Sequence, residues 1–118
     1  MENKKITLLF PGQGSQYVGM GKEFHEKFKF VRDIYEQADN VLGYKLSEQC
    51  FKKPGLGKKI MHRTVLDKTI FTQPAVLTTS YACYKVLERR CKELNIELDV
   101  SLLAGHSLGE YTAYWPPE

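Results

Sequence analysis

Val100-Ser101-Leu102-Leu103-Ala104-Gly105-His106-Ser107-Leu108-Gly109 decides how this chain of 118 residues is read. Its first half, Val100 to Ala104, is short and apolar, as a strand in a covered sheet is. Its second half matches Gly-x-Ser-x-Gly. Leu108 to Tyr114 can then begin a helix. A serine between a strand and a helix, with small residues two before and two after it, fits a nucleophile elbow. The turn is sharp and strains the serine backbone. Gly105 and Gly109 let strand and helix approach closely. The hydroxyl then projects above the sheet, near the positive end of the following helix. Three fixed positions make a weak motif, and an ordinary glycine-rich turn is the plainer reading. The strand before it and the helix after it favour the elbow.

A second strand lies near the start. Ile6-Thr7-Leu8-Leu9-Phe10 is almost continuously apolar, which predicts burial on both faces. Pro11-Gly12-Gln13-Gly14-Ser15-Gln16 follows as a glycine-punctuated loop. Its glycines can let a backbone N–H face a ligand. Two phosphate-loop readings fail. Gly21-Lys22 is followed by Glu23 where a P-loop needs Ser or Thr, and Tyr17 stands where a dinucleotide loop needs its third glycine.

Between the strands the pattern is helical. Phe24, Phe28, Val31, Ile34 or Tyr35, Ala38 and Leu42 recur at steps of three and four, predicting one helix stopped by Gly43. Gln73-Pro74 predicts the start of another, with Pro74 in the first helical position. Val76, Ser80, Cys83, Leu87 and Leu94 are spaced for its buried face. Lys52 to Lys68 carries no readable pattern. Strand, loop, helices, strand is the order of an α/β fold, whose two strands should be parallel neighbours with a right-handed crossover. Sites are expected at the strands' carboxyl ends.

Composition bounds the function. The chain is 42% hydrophobic and 26% charged, which makes a packed domain the expectation and disorder the exception. A net charge of +3 is too mild to argue for nucleic acid. Lys52, Lys53, Lys58, Lys59, Arg63 and Lys68 cluster; a solvated face is the default, and a surface for an acidic partner the sharper reading. Cys50, Cys83 and Cys91 are odd in number and lack Cys-x-x-Cys spacing. That argues against disulfides and a metal site, and for reduced thiols in the cytoplasm. The first apolar run is too short for a signal peptide or a membrane span.

Phe10-Pro11-Gly12-Gln13-Gly14-Ser15-Gln16, Thr72-Gln73-Pro74-Ala75 and Gly105-His106-Ser107-Leu108-Gly109-Glu110-Tyr111, in that order, resemble three segments of malonyl-CoA:acyl-carrier-protein transacylases. The acyltransferase domains of fatty-acid and polyketide synthases share them. The resemblance runs from about Ile6 to Ala113, with a poor stretch from Lys52 to Lys68. It implies an α/β-hydrolase-like acyltransferase core with a parallel sheet, of which residues 1–118 are the N-terminal part. It also implies that Ser107 takes an acyl group from a coenzyme A thioester and passes it to the phosphopantetheine thiol of acyl carrier protein. The oxyanion donors would be the backbone N–H groups of Gln13 and Leu108, with no metal and no bound cofactor. Malonyl-CoA and acyl carrier protein are the expected partners, without nucleic acid or membrane.

None of His25, His62 and His106 matches the family's catalytic histidine, which follows the serine at a distance. The arginine that holds the malonyl carboxylate also falls beyond Glu118. His106 adjoins Ser107 but should point elsewhere, as a packing or orienting group. His25 is expected on the surface, and Glu110 and Tyr111 are expected to have structural jobs. The helix after Ser107 then runs into Tyr114-Trp115-Pro116-Pro117-Glu118, and consecutive prolines cannot continue it. A fragment, a premature stop and a shifted reading frame all fit that ending. The 118 residues alone are expected neither to form a stable monomer nor to turn over. A serine hydrolase and a noncatalytic binding remnant are the alternative functions.

Overall fold

The computed structural model describes residues 5–52, 66 and 68–114. The two apolar runs form β1 (Lys5–Phe10) and β2 (Asp99–Gly105), each a little longer than the pattern predicts. They pair in parallel, from Lys5 opposite Asp99 to Phe10 opposite Gly105. The register slips between Ile6 and Thr7, where Ser101 is passed over and its Oγ donates to the Ile6 carbonyl at 3.3 Å. Parallel strands need a long crossover. Here it is helical: α1 (Lys22–Lys27), α2 (Lys29–Leu42), α3 (Leu46–Phe51) and α4 (Thr69–Glu93). The short α5 (Leu108–Tyr114) follows β2. The fold is thus mixed α/β.

The core lies among the helices. Val31 and Tyr35 of α2, Leu46 and Cys50 of α3, and Ala75, Val76, Ala82 and Val86 of α4 are buried together. Two hydroxyls sealed there are paired with each other. Tyr35 Oη and Thr79 Oγ1 share a hydrogen bond of 2.6 Å, so burial of both hydroxyls is offset. Gly21, at φ 75°, lies against this pair, where a Cβ would come within 2.8 Å of Tyr35 Oη. Burial pushes the Tyr35 hydroxyl above its usual range, and pushes the Cys50 thiol up to about 12. Cys50 is therefore a packing residue at neutral pH.

Four expectations need correction. The sheet is not covered on both faces among the described residues: β1 alternates exposed with half-buried residues, and Leu9 is 75% and Leu102 57% exposed. The single helix predicted from Phe24 to Leu42 is broken at Phe28, which is extended at φ −117°. Arg32 reaches back from α2 to donate to the His25 and Glu26 carbonyls at 2.9 Å each. This satisfies the end of α1 and stabilises the break. Gly43, at φ 77°, ends α2 as expected.

Pro74 sits not at the first but at the sixth position of α4. Its missing N–H leaves the Ile70 carbonyl without its usual partner, and the Tyr44 hydroxyl donates there at 3.5 Å. The helix starts earlier because Lys68 accepts from the Phe71 and Thr72 amides at 2.8 and 2.9 Å. Thr72 Oγ1 also donates to the Leu66 carbonyl. The buried face of α4 is the small-residue face, Thr72, Ala75, Val76, Thr78, Thr79, Ala82 and Val86. Of the predicted stripe only Val76 is buried, Ser80 is half-buried, and Cys83, Leu87 and Leu94 are exposed. Ser80, Cys83 and Leu87 instead line an open cleft of about 650 Å³ with Leu8, Phe10 and Met20. Asn95 closes α4 in the left-handed conformation, with Ile96 N donating to the Cys91 carbonyl at 2.8 Å.

Candidate active site

The candidate residues gather at the carboxyl ends of β1 and β2. Ser107 occupies the turn from β2 to α5 at φ 53°, a left-handed conformation that a residue with a Cβ rarely adopts. Three glycines allow the turn. A Cβ on Gly105 would run into the Gly109 carbonyl and the Glu110 amide. A Cβ on Gly109 would strike the Phe10 carbonyl at the end of β1 and lie 2.9 Å from the Pro11 oxygen. A Cβ on Gly12 would meet the His106 carbonyl. At Gly12 the close neighbour is the serine turn itself.

Backbone hydrogen bonds fix the same geometry. His106 N donates to the Phe10 carbonyl at 3.2 Å, extending the strand pairing past β2. Gly109 N donates to the His106 carbonyl at 2.9 Å, and Glu110 N to the Ser107 carbonyl at 3.0 Å. The Pro11–Gln16 loop therefore lies against the Ser107 turn although they are far apart in sequence. Within it, Ser15 Oγ donates to the Gly12 carbonyl at 2.7 Å and Gly14 N to Gln16 Oε1 at 2.7 Å. The Gln13 side chain leaves the loop, its Nε2 donating to Thr69 Oγ1 at 3.1 Å. Thr69 carried no sequence signal, since it precedes Thr72-Gln73-Pro74-Ala75 by one turn and lies beside the unreadable stretch.

Among the described residues neither the Gln13 nor the Leu108 amide donates to a backbone carbonyl. Leu108 packs half-buried on the core while Gln13 and Ser107 are exposed. His106 is exposed too, and no hydrogen bond joins it to Ser107 Oγ among the described residues. His25, expected on the surface, is half-buried, edge-on to Phe51 at 5.0 Å and to Tyr35 at 5.4 Å. Burial, then the Arg32 charge, hold it below its ordinary pKa. Glu110 and Tyr111 begin α5 and are exposed, Tyr111 by 70%. Of the basic cluster, Lys53, Lys58, Lys59 and Arg63 lie outside the described residues, as do His62 and Trp115 to Glu118. Among the described residues no three His, Cys, Asp or Glu side chains group as metal ligands do, and no helix is long and apolar enough to cross a membrane.

The chain is similar to known proteins. A malonyl CoA-acyl carrier protein transacylase of Bacillus subtilis is 45% identical over 109 residues, 92% of this chain and 30% of that protein. The crystal structure of malonyl-CoA:acyl carrier protein transacylase from Helicobacter pylori superposes with a TM-score of 0.74 at 35% identity, over 92% of this chain and 31% of that one. A malonyl-transacylase solved in complex with its type II polyketide acyl-carrier protein superposes at 0.73 and 37% identity, over 93% and 31%. This chain thus spans about a third of the length of these relatives. Residues 7–115 match the acyl transferase domain, and the chain belongs to that family.

Proposed function

We propose that this chain supplies the nucleophile and oxyanion-binding part of a malonyl-CoA:acyl-carrier-protein transacylase. The reading rests above all on Ser107, held left-handed between β2 and α5 with the Gly12–Gln13 loop against its turn. Ser107 Oγ attacks the thioester carbonyl carbon of malonyl-CoA while its proton passes to a base. The Gln13 and Leu108 N–H groups receive the oxyanion as it forms, where fixed donors are worth most. The carbon–sulfur bond then breaks and coenzyme A leaves as the thiol, taking the proton. The phosphopantetheine thiol of the carrier protein attacks the malonyl-serine ester in turn, and Ser107 regains its hydrogen. Gly105 and Gly109 serve by letting the backbones meet. Residues 1–118 form the N-terminal part of the domain in this reading. The base is assigned, by resemblance, to the histidine that follows the serine in the family; His25 instead packs edge-on to Tyr35 and Phe51.

The test is a composite polypeptide in which this chain replaces the segment that it matches in the Bacillus subtilis transacylase. Incubation with labelled malonyl-CoA should place one malonyl group on the Ser107 peptide by mass spectrometry, and added carrier protein should remove it. Absence of label, or label that persists after Ser107→Ala, overturns the assignment.

A further inference from the structure

We propose that Thr69 is a positioning residue for acyl transfer, holding the Gln13 backbone N–H in place through the Gln13 side chain. This rests on the reading of Gln13 as an oxyanion donor. The loop that carries Gln13 lies outside any helix or strand. Gly14 beside it has φ 108° and no side chain, and Gln13 is exposed. On one side the loop is pinned where Gly12 meets the His106 carbonyl. The bonds of Ser15 Oγ and Gln16 Oε1 shape it from within. The Gln13 Nε2 to Thr69 Oγ1 bond is of another kind, since it ties the loop to a residue 56 positions away.

Thr69 is a sound anchor. It is the first residue of α4, and the turn it begins is closed by the Phe71 and Thr72 amides on the Lys68 carbonyl. Thr72 Oγ1 adds a bond to Lys68 O at 3.0 Å, and Thr72 is fully buried. The loop is thereby referred to the helical core. An exposed hydrogen bond between neutral side chains adds little to folding stability. It can still matter for catalysis, because an oxyanion donor works only when it is already in place as charge develops.

The experiment measures malonyl transfer to carrier protein by the composite polypeptide. Deleting an oxyanion donor costs about 10²–10³ in kcat; a donor that is present but loosely held should cost less, about tenfold. Thr69→Val keeps the shape and removes the acceptor. It should lower kcat about tenfold with KM for malonyl-CoA within about twofold, the signature of an interaction made in the transition state. Thr69→Ser keeps the hydroxyl and should restore kcat. Gln13→Ala should match Thr69→Val, and the double variant should fall no further, since both break one link. A Thr69→Val variant with parental kcat overturns the inference. So does Thr69→Ser falling as far as Thr69→Val, or losses that multiply in the double variant. If the parent composite places no malonyl group on Ser107, the transfer reading itself falls; if it does, and Thr69→Val transfers as fast, only the role of Thr69 falls.

Discussion

Ser107 combines a reactive hydroxyl with a backbone that its Cβ disfavours, and the two can be separated by substitution. Ala at position 107 removes the hydroxyl and keeps the Cβ at φ 53°. Gly removes both. A left-handed residue with a Cβ costs about 1–2 kcal/mol. Gly escapes that cost but loses about 0.5–1 kcal/mol through the greater freedom of its unfolded chain. The difference leaves Ser107→Gly more stable than Ser107→Ala by about 0.5–1 kcal/mol. Asn95 provides a scale, because its φ is 54° and it ends a helix away from the site. The gap between Asn95→Gly and Asn95→Ala should equal that at Ser107 within about 0.5 kcal/mol, as independent positions of one backbone conformation should. The assay is urea unfolding of the composite polypeptide, comparing midpoints at constant slope. Neither Ser107 variant should take the malonyl label. If Ser107→Ala proves at least as stable as Ser107→Gly while the Asn95 pair shows the expected gap, the serine turn stores no strain and this reasoning is wrong.

Gly21 and Gly43 have nearly the same φ, 75° and 77°, but only Gly21 has neighbours where a Cβ would go. Gly43→Ala should cost about 0.5–1 kcal/mol from conformation alone, by the same difference, and Gly21→Ala about 1.5–4 kcal/mol, because it also disturbs the buried Tyr35–Thr79 hydrogen bond; equal losses would show that the contact is harmless. His25 has its pKa lowered from 6.5 by burial first and the Arg32 charge second, so the fold favours the neutral ring. Its contribution is therefore fully present above the unfolded pKa and is lost as pH falls below about 6.5 through the folded value. The urea midpoint should drop between about pH 7.5 and 5 more in the parent composite than in His25→Gln, and identical pH profiles would remove His25 from the account.

The turn that carries Ser107 is legible in the sequence because it is written in local chemistry. Gly105, Ser107 and Gly109 answer to one turn, and the apolar runs beside them answer to two strands. What escaped the sequence reading depends on partners distant along the chain. The α3 helix has no cap of its own; the Leu46 amide is received by Asp39 Oδ1 at 2.7 Å, from the last turns of α2. The break at Phe28 is stabilised by Arg32, and the displaced Pro74 by Tyr44. The Gln13–Thr69 tether joins two segments whose meeting no periodicity announces. The face of α4 was misread for another reason. Ser80, Cys83 and Leu87 do share a face, but it borders the cleft beside β1, and the residues buried on α4 are mostly small ones, Thr72, Ala75, Thr78, Thr79 and Ala82 among them.

That cleft decides how the polypeptide of 118 residues should behave when made by itself. Its packed core is helical: Tyr35 of α2, Leu46 of α3 and Val76 of α4 are buried together, and no strand residue belongs to that buried cluster among the described residues. The strands are differently placed. Leu9 and Leu102 are largely exposed, and β1 has β2 as its only partner among the described residues. An apolar strand with a free edge offers a template for association with another chain. The 118 residues should therefore be substantially helical but self-associating, with dye-accessible apolar surface. Leu9→Lys combined with Leu102→Lys places charge on the exposed side of the sheet and should reduce association, as lysine does on natural edge strands. Helix content should change little, because neither leucine belongs to the helical core. Sedimentation and circular dichroism separate the two effects. A monodisperse monomer with a cooperative unfolding transition would contradict the association argument. Loss of helix in the lysine variant would show instead that the helices depend on the sheet.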